Sequence, residues 1–242
     1  MKKLAIVLLV GVCATVEAQV ISWNYDRNGT VSGANEAGIV RVANWNNSWP
    51  SDPTTDLIDN SGAATTLDLT YGPTAYAYSI QGSHPGQDAD GSYNKELLNG
   101  YLNAGMASWN PPITNSYVTL SEIPYAQYNL YVYFSSDVAD RPGYATDGAS
   151  TFYFSTIGLP SISGANALFT LTTETSSANH PQANYALFAG LSGASQNITL
   201  QMEQPELWGG IAGFQVEAVP EPSSVALLLA GVAGLLVRAR QK

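Results

Sequence analysis

The chain has 242 residues, with nine basic and nineteen acidic side chains and a formal net charge of −10. Five of the basic residues sit at the two ends, so residues 20–218 carry four basic against seventeen acidic side chains, a net of −13. That surface repels phosphate backbones, which argues against a nucleic-acid partner, and the one cysteine, Cys13, rules out an internal disulfide framework.

The first stretch, MKKLAIVLLVGVCATVEAQV, has Lys2 and Lys3, an apolar core over 4–12, and small residues at Ala14, Val16 and Ala18. That order is a secretory signal, with cleavage expected between Ala18 and Gln19. Lipidation of Cys13 would need a small residue just before it, and Val12 stands there. The mature body then has no cysteine, and a hydrophobic core has to hold it together. Residues 19–218 are long enough for one domain, since a chain of about 200 residues buries roughly 70% of its unfolded surface.

Short strands separated by turn residues follow in series. VISWNYDRNGTVSG predicts a hairpin about Asn28-Gly29, a pair suited to the positive φ angles of a tight turn. GIVRVAN at 38–44 predicts the next strand, with Ile39 and Val42 as core anchors. TTLDLTY and TAYAYSI alternate apolar with polar residues, and SYVTLSEI follows. In YNLYVYFSS, Tyr128, Leu130, Val132 and Phe134 share one face and Tyr131 and Tyr133 the other, which predicts a central strand. STFYFSTIG, ALFTLTT, NYALFAGL, NITLQME and GIAGFQVEA complete about eleven strands at spacings typical of a sandwich, and an all-β sandwich of jelly-roll type is expected. SYNKELLNGYLNAG breaks the series. Leu97, Leu98, Tyr101 and Leu102 fall at helical spacing, with Ser92 as cap and Gly105 as stop, so one short helix is expected.

No Gly-x-Ser-x-Gly, His-Glu-x-x-His, phosphate loop or Cys-x-x-Cys is present, so no catalytic residue is assigned. His84 and His180, each before a proline, read as solvated loop residues. SHPGQDADGSYNKE gathers Asp88, Asp90 and Glu96 as candidate calcium ligands. It departs from an EF-hand loop, because Gly91 comes early and Asn99 stands where a bidentate Glu belongs; a solvated turn with Asp90 or Ser92 capping the helix is the competing reading. No other cofactor is implied. NWNNSWP and SWNPP place tryptophan among amides on predicted loops. Trp45, Asn46, Asn47, Trp49 and Trp109 are therefore candidate carbohydrate-binding residues, with a tryptophan plug of the sandwich core as the alternative.

The last stretch, VPEPSSVALLLAGVAGLLVRARQK, changes character. Val219, Pro220, Glu221 and Pro222 precede an uncharged run over 225–237, and Arg238, Arg240 and Lys242 form a basic stop. Thirteen helical residues span about 20 Å, short of the roughly 30 Å hydrocarbon layer. The two prolines keep the run from continuing the fold as a helix. Residues 219–242 resemble the PEP-CTERM sorting signal of Gram-negative bacteria. The resemblance implies export through the inner membrane, recognition of the motif by an exosortase-type membrane protease, and a transient membrane anchor, then release to the cell surface or medium. Members are often exported alongside extracellular polysaccharide. More weakly, AGIVRVANWNNSWP, LIDNSGAATTLDLTY, LLNGYLN and VTLSEIPYAQYNLYVYF resemble a β-sandwich module of exported bacterial proteins similar to galactose-binding-like jelly rolls. The combined expectation is a non-catalytic surface or matrix protein associated with polysaccharide; the alternative is a polysaccharide-acting hydrolase or lyase.

Overall fold

A computed structural model describes residues 18–25, 30–48, 54–73, 77–82, 84–204 and 206–220. The signal sequence to residue 17, the Asn28-Gly29 turn, Trp49, and the tail from Glu221 lie outside the described residues. Among the described residues, thirteen strands and two short helices follow in order: β1 Val20–Tyr25, β2 Asn46–Ser48, β3 Asp68–Gly72, β4 Ala77–Ser79, α1 Asn94–Asn99, β5 Gly100–Asn103, β6 Asn115–Ser121, β7 Gln127–Ser135, β8 Pro142–Thr146, β9 Thr151–Ser155, α2 Pro160–Ser163, β10 Leu171–Thr172, β11 Tyr185–Ser192, β12 Ser195–Met202 and β13 Gly210–Ala218.

They form a two-sheet β-sandwich. One sheet has the order β10-β11-β7-β13-β1-β2, with β5 on β13 and β4 on β5; the other has the order β3-β6-β12-β8-β9. Pairing is antiparallel except for β1 with β2 and β10 with β11. Most consecutive strands lie in opposite sheets, so few contacts are local, a slow-folding topology.

Alternation along the strands supplies the core between the sheets. Tyr128, Leu130, Val132 and Phe134 of β7 meet Leu69, Val118, Leu120, Ile198, Leu200 and Phe154 of the facing sheet. Trp23 stacks on Phe214 with ring centroids 5.5 Å apart, and its indole N–H donates to Ser48 Oγ at 2.7 Å. Tyr131 and Tyr133 of β7 lie on the other face, as the two-sided apolar pattern predicts, in a second core. There Trp45, Leu97, Leu98 and Ile162 cover the outer face of the eight-stranded sheet, together with Tyr101 of β5. The molecule therefore has a third, irregular layer, and the burial of β1 and most of β13 on both faces follows from it.

Several expectations give way at this layer. Residues 30–33 form no return strand; β1 pairs with β13 and β2 instead. GIVRVAN is a turn, with only Ala37 and Val42 bridged, and Ile39 is 38% exposed. The reason is Gln215, a buried amide on β13. Its Oε1 accepts from Val40 N at 3.2 Å and its Nε2 donates to Val40 O at 2.8 Å, so a side chain pairs with Val40 as a strand would. The turn passes so close that a Cβ at Gly38 (φ +93°) would fall within 2.3–2.7 Å of the Gln215 amide. The expected helix over 92–105 stops after Asn99, and Gly100–Asn103 become a strand. Tyr101 faces the outer core while Leu102 and Ala104 face the inner one. One helix could not reach both sides of the sheet; an extended segment does. ALFTLTT keeps only two strand residues, and α2 has no counterpart in the sequence pattern.

Candidate functional site

The tryptophan–asparagine segment is internal where it is described. Trp45 is 4% exposed, packs on Tyr133 at 6.4 Å, and donates its indole N–H to Val42 O at 3.0 Å. Asn46 Nδ2 donates to Ser22 O and Ile58 O, and its Oδ1 accepts from Ile58 N. Asn47 Nδ2 donates to Val31 O and Trp45 O, and its Oδ1 accepts from Val31 N. These amides tie the loop backbone at Val31, Trp45 and Ile58 to one another and to Ser22 of β1, and little of them remains for a sugar hydroxyl. The expectation that Trp45, Asn46 and Asn47 display a binding surface is corrected accordingly. Trp109 is different. It stands at the tip of the Met106–Ile113 turn and is 39% exposed. Glu206 accepts from Ser108 N at 2.6 Å and fixes the loop beside it.

The acidic loop does not bring its carboxylates together. Buried Asp88 accepts from Lys95 N at 3.0 Å, capping α1 from seven residues upstream, and from Ala167 N. Asp90 turns back on Ser92, accepting from its hydroxyl at 2.7 Å and its N–H at 2.9 Å. Those two bonds, with help from the Arg41 charge, hold the Asp90 carboxyl below its ordinary range. Buried Glu96 accepts from Gly86 N at 2.8 Å and meets His84 Nδ1 at 3.1 Å. Among the described residues no group of three or more His, Cys, Asp or Glu side chains converges to hold a metal. The helix cap is neither Asp90 nor Ser92: Asp88 provides it, and spacing alone could not reveal a cap so far upstream.

The open surface is the outer face of the five-stranded sheet. Cross-strand register places Gly72, Tyr117, Thr199, Thr146 and Thr151 in one row. Asn115, Gln201, Tyr144 and Tyr153 make a second row. The only charged residue in these five strands is Asp68, at one end of β3. Tyr117 is 40% exposed and lies across Gly72: its Oη, Cε1 and Cζ are 2.8–2.9 Å from where a Cβ would stand. The ring thus lies flat on the sheet, one face on Gly72 and the other outward. Tyr144 donates to Gln201 Oε1 at 2.8 Å, and Tyr153 meets His180 edge-on at 5.7 Å. His180 pairs with Glu203 at 3.0 Å. Sequence reading missed this face because tyrosine and threonine on alternate strand positions look like ordinary outward residues.

The two ends of the sandwich differ. At one end, near the start of β13, lies the partly buried Arg141–Asp137 pair (2.8 Å). Arg141 Nη1 also donates to Trp208 O at 2.7 Å. At the other end β1 begins and β13 finishes. Ala218 N donates to Gln19 O at 2.9 Å and Val219 N to Gln127 O at 3.0 Å, and Pro220 is the first exposed residue beyond. Residues 218–241 match the model of the PEP-CTERM protein-sorting motif. The chain is therefore an exported protein sorted by a C-terminal signal to the cell surface by way of the membrane, and exosortase, a membrane protein, is the partner such a signal addresses. The match covers the sorting signal and leaves the body to be read from its own geometry. No curated protein matches the chain. Among the described residues no helix is long and apolar enough to cross a membrane; the apolar run at 225–237 lies outside them.

Proposed function

We propose that this is a non-catalytic surface protein that holds extracellular polysaccharide on the open face of its five-stranded sheet after delivery by the sorting signal. The observation that carries the reading is Tyr117, a ring lying flat with one face to solvent among Thr, Asn and Gln side chains. A sugar ring stacks its C–H face on such a plane while hydroxyl and amide groups bind its hydroxyls. The near absence of charge favours a neutral glycan over a polyanion in a body of net −13. This use of the sandwich suits the galactose-binding-like module that the body resembles, and it needs no metal. Delivery follows the signal. An exosortase-type protease reads Pro220-Glu221-Pro222, the run at 225–237 anchors the chain transiently in the inner membrane of a Gram-negative cell, and Arg238, Arg240 and Lys242 stay cytoplasmic.

The test is retardation of the purified exported protein in gels containing neutral or acidic polysaccharide. Wild type is expected to be slowed by a neutral polymer, and Tyr117→Ala to migrate freely at nearly unchanged melting temperature. Absence of retardation by every polymer would remove the binding role. For delivery, changing Arg238, Arg240 and Lys242 together to Glu is expected to impair membrane retention and processing. Unchanged fractionation and mature mass would contradict it.

A further inference from the structure

The end of β13 is fastened more firmly than a free sorting tail requires. Tyr131 Oη donates to Glu217 Oε2 at 2.9 Å and Asn129 Nδ2 to the same oxygen at 3.2 Å. Burial, with that bond to the Glu217 carboxylate next, pushes the Tyr131 hydroxyl up to about 12, so it remains a donor through the physiological range. Backbone bonds continue the grip. Glu217 is in register with Val20 on one side and Asn129 on the other, Ala218 bonds Gln19, and Val219 bonds Gln127. The motif begins at the next residue. An extended chain covers at most about 3.6 Å per residue, so three residues of chain beyond a fixed Val219 give a span of about 10 Å at most. A protease that reads an extended strand needs free backbone on both sides of its recognition element. Here the upstream side is already occupied by β1 and β7.

We infer that residues 217–219 form a latch, with Tyr131 and Asn129 as positioning residues that hold the sorting motif against the fold, and that opening of this latch limits its engagement by the processing protease. The inference rests on the proposed processing of the signal. The latch is a two-state element: closed, it withholds the upstream backbone; open, it frees an extended strand ahead of Pro220. Engagement then scales with the open fraction.

The experiment is a pulse–chase of the full chain in cells that also express the processing protease, following the loss of the precursor mass. A short Gly-Ser spacer between Val219 and Pro220 leaves every latch bond in place and frees the motif. Processing is expected to become several-fold faster. Tyr131→Phe with Asn129→Ala weakens the latch at native length and is expected to give a smaller acceleration. Tyr101→Phe, which removes a comparable tyrosine–carboxylate bond (to Asp137) remote from both the latch and the binding face, is expected to leave the rate unchanged. Acceleration by the spacer without acceleration by the double variant would mean crowding by the body, and the latch would be overturned. Equal acceleration by Tyr101→Phe would assign the effect to general instability and would overturn the latch as well. If neither the spacer nor the double variant alters the rate while wild type is processed, the latch falls and the sorting reading stands. A wild-type chain that keeps its full mass would instead remove the processing reading itself.

Discussion

On the outer face of the eight-stranded sheet, Trp45 and Tyr133 meet beneath a loop layer whose amides bond the backbone. On the outer face of the five-stranded sheet, Tyr117 stands 40% exposed in a row with Thr199 and Thr146, while Tyr144 bonds Gln201 and Tyr153 meets His180 edge-on. The residue types are nearly the same. What differs is where the polar groups find their partners. Asn46 and Asn47 bond the backbone around Trp45, and the ring beside them is core; on the five-stranded sheet the polar side chains bond one another along the face, as Tyr144 does Gln201, and Tyr117 stays exposed. Aromatic–amide composition alone cannot separate a plug from a platform.

The largest effect that would break this contrast is Trp45→Ala. Emptying a buried indole site is expected to cost about 3–5 kcal/mol, read by denaturant unfolding, with polysaccharide binding retained by the folded fraction. Tyr117→Ala is expected to cost about 1 kcal/mol or less, the scale of a cross-strand pair, and to lose binding. Equal costs at both positions would erase the distinction between the faces.

Next comes Asp88→Ala, which leaves the amides of Lys95 and Ala167 without their carboxylate. A loss of about 2–3 kcal/mol is expected from hydrogen bonds to a charged group. The same unfolding measurement checks it, and a neutral result would show that the covering layer is held without this clamp.

A smaller effect concerns the turn that pins the start of β1. Asp59 is buried; burial alone would raise its pKa, but bonds from Ser61, Gln19 and Ala63 outweigh that and hold it below its ordinary value of 3.8. A depressed carboxylate stabilises the fold above the unfolded pKa and loses that contribution as pH falls through the folded value. Stability is therefore expected to decline below about pH 3.8, and Asp59→Asn to flatten that part of a pH–melting series.

The smallest expected change is none: melting midpoints in EDTA and in millimolar calcium should coincide, since Asp88, Asp90 and Glu96 are directed to separate partners. A site at a hundredfold excess over its dissociation constant would add about 2.7 kcal/mol.

The inner sandwich could be read from sequence because its signals are periodic. The central position of β7 follows from apolar residues on both faces, β13 coincides with its predicted stretch, and β3, β6 and β12 overlap theirs to within two residues at one end. The covering layer could not, because its order comes from distant side chains. GIVRVAN alternates like a strand, yet its partner is the amide of Gln215, some 175 residues away. Leu97 to Leu102 are spaced like a helix, yet they must serve two cores. The acidic loop pointed to a metal because closeness in sequence does not reveal that Asp88 faces Lys95 and Ala167 while Glu96 faces Gly86. The sorting signal was the most readable part, because a membrane address is written in composition and order.

Gln19 and Ala218 are hydrogen-bonded neighbours, so the body of the chain starts and finishes at one point on its surface. A unit closed in this way can be moved as a cassette. Joining its ends through a short linker and opening the exposed turn at 147–150, between β8 and β9, should give a permuted chain with the same sheets. The whole body could likewise be placed within a surface loop of another protein without its two attachment points pulling against each other.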